Sequence, residues 1–266
     1  GAGTWFRASE STSDMFASID AAVATIEGQI RSFNNREPVG RRLILCVYAL
    51  SLTTTQEPMQ NEAVLTGTVC PGGKLAETWA NAYSDSPVKD HFAGEGRTVQ
   101  YREGLYVGYR YFETAGRPVA FPFGYGLSYT TFAYKDLKAA PEGVTLTVTN
   151  TGKCAGAEIV QLYVAKPDAK VFRPAQELKG FAKVWLEAGE SKTVSIPLDD
   201  KAYRYWNVAT DRWEVEGGSY QLRVGASSAD IRLTADVVVL GSGAPDPYQS
   251  VDLPHYRTGE ITSVPD

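Results

Sequence analysis

The chain has 266 residues, of which 43% are hydrophobic and 21% charged, enough to bury the core of one large domain or two ordinary ones. Its formal charge of −5 argues against nucleic acid as a partner, because phosphate binding needs a concentrated basic surface. The densest basic cluster, Arg36 with Arg41 and Arg42, is short, flanked by apolar residues, and reads as solvated surface.

No apolar run approaches the roughly eighteen residues a membrane helix needs, so no membrane partner is expected. The nearest, RRLILCVYALSL over residues 41–52, suits a buried strand or core helix. Residues 1–10 lack a basic segment followed by an apolar one, so no signal peptide is visible. The chain reads as starting mid-domain, which leaves an upstream signal open. Cys46, Cys70 and Cys154 are odd in number, widely spaced and free of any CxxC pattern. With only His91 and His255 beside them, no zinc site is expected, and free thiols in a cytoplasmic, reducing setting are the favoured reading. Two histidines so far apart also argue against a Ser-His-Asp hydrolase.

Residues 1–126 mix helical and strand patterns. Ser-Thr-Ser-Asp ahead of MFASIDAAVATI offers capping groups for a helix over residues 14–19. The runs at residues 20–26 and 42–50 read as buried strands of parallel type. A second helical segment over residues 60–65 leads into TGTVCPGGKL, whose Pro-Gly-Gly marks a turn. Asp85, Asp90 and Glu95 share a polar loop with His91 and read as solvated.

The pattern changes from about residue 127 to residue 240 and becomes all-β. GVTLTVTNTG alternates Val144, Leu146 and Val148 with Thr145, Thr147 and Thr149, then turns at Asn-Thr-Gly. AEIVQLYVAKP repeats the alternation with Val160, Leu162 and Val164. KTVSIPL follows with Val194, Ile196 and Leu198, and SYQLRVGAS with Tyr220, Leu222 and Val224. IRLTADVVVL closes the set. About seven short strands with regular turn signals are the mark of an immunoglobulin-like sandwich. Pro197 inside a strand pattern points to an edge or a bulge, since proline cannot donate to the ladder. AYRYWNVATDRWEVEGG reads as two strands around Ala-Thr-Asp, pairing Trp206 with Trp213 across the turn. These tryptophans, with Trp185, are read first as core or rim packing and second as a carbohydrate-binding face. Residues 241–266, with four prolines and no period, read as an extended linker or tail.

The most unusual stretch joins the two patterns: YREGLYVGYRYFETAGRPVAFPFGYGLSYTTF, residues 101–132. Its aromatics could stack on sugar rings or bury themselves at a domain junction. Glycines 104, 108, 124 and 126 suit close backbone approach, which favours junction packing by Tyr106, Tyr109, Tyr111, Phe121, Phe123 and Tyr125. Arg110, between two tyrosines, reads as a structural guanidinium in the same junction.

This stretch resembles the segment of glycoside hydrolase family 3 that joins its α/β-sandwich domain to its fibronectin-type-III-like domain. GKLAETW upstream, and VTNTGKCAGAEIVQLYV with ELKGFAKVWLEAGESKTVSI downstream, resemble the same family. The resemblance covers about residues 64–239. It implies a mixed fold: a shortened α/β-sandwich segment over residues 1–126, a fibronectin-III/immunoglobulin-like β-sandwich over 127–240, and a linker over 241–266. The tail DLPHYRTGEITSVPD resembles the linker of members with inverted domain order, in which the nucleophile-bearing barrel follows.

The resemblance also implies retaining hydrolysis of β-linked glucosides or oligosaccharides, with no metal or organic cofactor. Such chemistry needs two carboxylates about 5 Å apart, one nucleophile and one acid/base. In the family they come from different domains. No stretch here matches the barrel's nucleophile motif, so the expected partner is a (β/α)8 barrel on another chain or beyond Asp266. Glu27 is the candidate general acid/base, because Glu27-Gly28 followed by Arg31 and Phe33 keeps part of the family's acid loop, although the small-residue loop ahead of it is missing. The chain alone is then expected to be inactive. The alternative is a catalytically incompetent carbohydrate-binding or scaffolding module.

Overall fold

A computed structural model describes residues 66–90, 94, 101, 103–248 and 254–259. The chain divides into two compact units, Gly1–Val69 and Cys70–Asp266, and the described architecture is that of the second. The helices expected over residues 14–19 and 60–65, the strands over 20–26 and 42–50, Glu27 and Cys46 lie outside the described residues. So do His91 and Glu95.

Seven strands build a β-sandwich. One sheet holds β3 (Phe132–Ala140), β4 (Gly143–Asn150) and β7 (Ser191–Pro197), in the order β3-β4-β7. The other holds β5 (Gly156–Ala165), β6 (Glu177–Leu186), β10 (Gly218–Gly225) and β11 (Ile231–Val239), in the order β11-β10-β5-β6. Every pairing is antiparallel. β8 (Arg204–Asn207) and β9 (Arg212–Val215) form a separate two-stranded ribbon, and β1 (Trp79–Ala80) pairs with β2 (Val119–Phe121). Among the described residues, two short α-helices, α1 (Tyr109–Thr114) and α2 (Pro254–Thr258), and 3-10 turns at Tyr83–Asp85 and Asp200–Ala202 complete the elements.

The period-two pattern sets the core. Val144, Leu146 and Val148 of β4 are buried, as are Val160, Leu162 and Val164 of β5. Val194, Ile196 and Leu198 meet Tyr220, Leu222 and Val224 in the same apolar cluster. Filling the space between two sheets with one face of each strand is the usual solution for a sandwich. Pro197 closes β7, the end strand of its sheet, where a missing N–H breaks no ladder. Opposite it, Gly143 adopts φ 140, and a Cβ there would lie 2.4 Å from the Ile196 carbonyl, so only glycine fits this turn.

The Asn-Thr-Gly turn is held by its first residue. Asn150 is fully buried, donates from Nδ2 to the carbonyls of Cys154 and Leu186, and accepts at Oδ1 from the Gly152 N–H and the Thr130 hydroxyl. A buried amide with both ends satisfied fixes the turn without the cost of an orphaned polar group.

Two strands of the sandwich, β3 and β6, were not among those the alternation picked out. In β3 the register shifts between Lys135 and Lys138, with Asp136 at φ 57. This bulge moves the inward set from Phe132 and Tyr134 to Leu137 and Ala139, so no single period runs through the strand. The Trp206–Trp213 hairpin, by contrast, is a ribbon of its own and contributes no strand to the two sheets.

Candidate functional site

Strand β5 is buried on both faces. One face is the core. The other carries Ala157, Gln161 and Tyr163, and would meet water in a free-standing sandwich. Residues 70–128 cover it. Gly124 adopts φ 77 and a Cβ there would sit 2.0 Å from Gln161 Oε1, so the backbone crosses the sheet at a distance only glycine permits. Gln161 Nε2 donates to the carbonyls of Gly124 (3.1 Å) and Ala226 (2.7 Å), while its Oε1 accepts from the Tyr163 hydroxyl (2.6 Å). Ser228 N–H donates to the Phe123 carbonyl at 2.9 Å.

The aromatics of the 101–132 stretch fall into three groups. Tyr109 stacks on Phe123 with ring centres 4.6 Å apart and meets Tyr163 edge-on at 6.1 Å. Its hydroxyl accepts the Leu178 N–H at 2.8 Å, fastening α1 to β6. Phe121 packs between Trp79 at 5.9 Å and Tyr125 at 5.5 Å, where Leu75 and residues 124–125 exchange two backbone hydrogen bonds of 2.8 Å. Tyr106, Tyr111 and Phe112 form a small buried cluster against Tyr256 of α2, and the Tyr106 hydroxyl donates to the Tyr256 carbonyl.

Polar groups complete the seam, and apart from Arg110 sequence reasoning passed them over. Arg110 pairs with Glu177 at 3.4 Å and lies over the Tyr109 ring at 5.9 Å. Lys74, in the GKLAETW element, pairs with Glu158 at 3.0 Å, the two side chains 14% and 5% exposed. Glu113 accepts from Gln176 Nε2 at 2.8 Å. Burial pushes the Glu113 carboxyl above the ordinary glutamate range, against the pull of its hydrogen bonds and of Arg223. Gln161 stood at a strand position where polar residues normally face solvent, and Gln176 stood in the loop just ahead of β6. Only their tight company of aromatics and small residues could have marked them as covered.

The tryptophans lie outside that seam. Trp206 and Trp213 are directly opposed in the β8–β9 register, ring centres 5.5 Å apart at 78°, and remain 44% and 60% exposed. They border a cavity of about 720 Å³ that also reaches Phe172, Arg173, Lys179 and Tyr205. Trp185 is exposed on β6. Asp85 and Asp90 lie in a short 3-10 turn and the loop after it, Asp85 accepting from Ala82 N–H at 3.0 Å. Among the described residues, no group of three His, Cys, Asp or Glu side chains could hold a metal ion. Cys70 and Cys154 are free thiols, hydrogen-bonded to the backbone N–H and carbonyl of Tyr129 respectively.

Comparison with known proteins fits this geometry. Residues 158–228 match the fibronectin type III-like domain family. The chain is 47% identical over 189 residues to an exo-α-(1→6)-L-arabinopyranosidase of Bifidobacterium breve, covering 69% of this chain and 25% of that one. It is 47% identical over 184 residues to thermostable β-glucosidase B of Acetivibrio thermocellus, covering 66% and 24%. Among solved structures, the GH3 β-glucosidase of Bifidobacterium adolescentis superposes with a TM-score of 0.66 at 44% identity, over 72% of this chain and 29% of that one. The matched region is similar to part of β-glucosidase-like chains of glycoside hydrolase family 3.

The family 3 match includes the sandwich that the 70–128 segment clasps, and the chain spans about a quarter of the length of its curated relatives. Among the described residues no helix is long and apolar enough to cross a membrane. The seam is built to hold rather than to react. Its carboxylates Glu158 and Glu177 are paired with Lys74, and with Arg110 and Lys179, and the Tyr163 hydroxyl, raised by burial, already donates to Gln161.

Proposed function

We propose that this chain is the non-barrel portion of a retaining β-glycosidase that hydrolyses β-linked glucosides. In this reading the sandwich and its clasp frame one wall of an active centre. The nucleophile comes from a (β/α)8 barrel on another chain or beyond Asp266, in the manner of an inverted domain order. The observation that carries the proposal is the match itself: high identity to glycosidases, spread over two-thirds of this chain but only a quarter of theirs.

Glu27 is the proposed general acid/base. Its assignment rests on Glu27-Gly28, Arg31 and Phe33 in the sequence. Such an acid must protonate the leaving oxygen and later activate water, which requires a pKa drawn toward the working pH by an enclosing partner. Retention further requires it to stand about 5 Å from the nucleophile.

The test is hydrolysis of a chromogenic β-glucoside. The purified 266-residue chain is expected to give no turnover, and robust turnover would overturn the proposal. In a longer protein that continues into a barrel, Glu27→Gln is expected to slow poor leaving groups far more than activated aryl glucosides. Equal loss on both would remove Glu27 from the role. A chain that remains inactive when the barrel is present would instead favour a binding or scaffolding module.

A further inference from the structure

The cavity beside the β8–β9 ribbon borders the clasp only at Leu105 and Glu177. At about 720 Å³ it lies within the roughly 300–1,000 Å³ range of small-molecule sites. Phe172, Tyr205, Trp206, Trp213 and Tyr248 supply aromatic surface, and the two tryptophans keep about half their area in water. Apolar groups so exposed and so clustered are uncommon on a surface with no ligand to meet. Flat aromatic faces with polar edges are the side chains that sugar rings stack on.

The polar lining has one dominant sign. Arg173, Lys179, Lys201 and Arg204 line the cavity with a single carboxylate, Glu177, on a chain whose overall charge is negative. Glu177 is already shared between Lys179 at 3.4 Å and Arg110 at 3.4 Å. Arg204 and Lys201 pair only with Asp200 and Asp199, carboxylates more than half exposed, and pairs of that kind contribute little and exchange readily.

Arg173 is fixed at the cavity wall beside the buried Glu216 carboxylate. Its side chain is 9% exposed, fixed by donation from Nη2 to the Tyr203 carbonyl at 2.9 Å and by stacking over Tyr205. Glu216 lies 3.7 Å from Arg173 Nε, near enough to balance charge and too far to hydrogen-bond. Both atoms are buried without a hydrogen bond among the described residues. Buried groups left in that state are the exception in folded proteins.

We propose that this cavity binds a short acidic oligosaccharide, a chain of two or three sugars bearing carboxylates. The rings would stack on the Trp206–Trp213 ribbon, and a uronate would meet Lys179, Arg204 and Arg173, for which a planar carboxylate is the matching acceptor. Binding here needs no catalytic group, so its outcome is independent of turnover at any active centre.

Calorimetry of the 266-residue chain with trigalacturonate, and with cellotriose as the neutral counterpart, tests this. Saturable binding of trigalacturonate is expected, about tenfold or more tighter than cellotriose, and weakening as salt screens the cations. Trp213→Ala should weaken it about tenfold or more, Trp213→Phe should restore most of it, and Lys179→Gln should narrow the gap between the two sugars. Circular dichroism of each variant checks the fold. If Trp213→Ala unfolds the ribbon, the Phe and Gln variants still decide the matter. Absence of saturable binding, equal affinity for both sugars, or indifference to Trp213→Ala and to Lys179→Gln would overturn the proposal.

Discussion

Replacing Gln161 by leucine isolates the hydrogen bonds that hold the 70–128 segment on the sandwich. Gln161 is 3% exposed and satisfies the Gly124 carbonyl, the Ala226 carbonyl and the Tyr163 hydroxyl at once. Leucine is close in volume, so the cavity contribution is small and the loss is polar. Each buried group left without a partner costs about 1–3 kcal/mol, and three neighbours do not add fully, so a net loss of about 3 kcal/mol is expected. That is a large share of the roughly 5–15 kcal/mol that holds a typical domain together. Urea unfolding followed by tryptophan fluorescence should show a lower midpoint with an unchanged slope. Adding Tyr163→Phe removes one orphaned hydroxyl and should return about 1–2 kcal/mol. A Gln161→Leu variant within about 0.5 kcal/mol of the parent, or a double variant that recovers nothing, would refute the view that this side chain secures the clasp.

Lys74→Ala leaves Glu158 buried without its counter-charge and should cost about 3–5 kcal/mol, while the double change Lys74→Met with Glu158→Leu should cost much less, both read from denaturant midpoints. Burial pushes Tyr106, Tyr203 and Tyr220 up to about 12, so the folded chain holds protons there that an unfolded one releases near pH 10. Their stabilisation is therefore complete below pH 10 and lost as pH rises toward 12. Absorbance at the phenolate band should show these three ionising only as the sandwich unfolds. Glu113 is also raised, so its contribution is present at low pH and lost as pH rises through its folded value. Glu113→Gln should flatten thermal stability over the range just above the ordinary glutamate pKa, and an unchanged slope there would contradict the burial argument.

How much of this was legible depends on whether a strand's surroundings are themselves readable. β4 and β7 alternate cleanly because one face meets the core and the other meets water. Their inward residues follow from composition and period alone. β5 breaks that rule: Ala157, Gln161 and Tyr163 lie on its outer face and are buried by a segment some forty to ninety residues earlier in the chain. No local pattern encodes a cover supplied from elsewhere. β3 fails differently, since the left-handed Asp136 shifts the phase of the alternation in mid-strand. Glycines told more than aromatics did. Gly124 required a close approach whichever partner lay beneath, whereas Tyr109 and Phe123 by themselves allowed a sugar platform beside the packed seam that the glycines favoured.

Burial divides the described aromatics into two populations. Tyr109 has spent both its face and its hydroxyl: Phe123 and Tyr163 take the ring and Leu178 N–H takes the oxygen, so nothing is left to offer a ligand. Trp206 and Trp213 are in the opposite condition. Their ring pair is edge-to-face, and about half of each remains in water beside a cavity lined with cations. A ribbon with its own two-strand pairing, outside both sheets, can present such a surface without exposing the core that β4, β5 and β10 enclose. If sugars bind this sandwich, the ribbon is where its physical chemistry has left room for them.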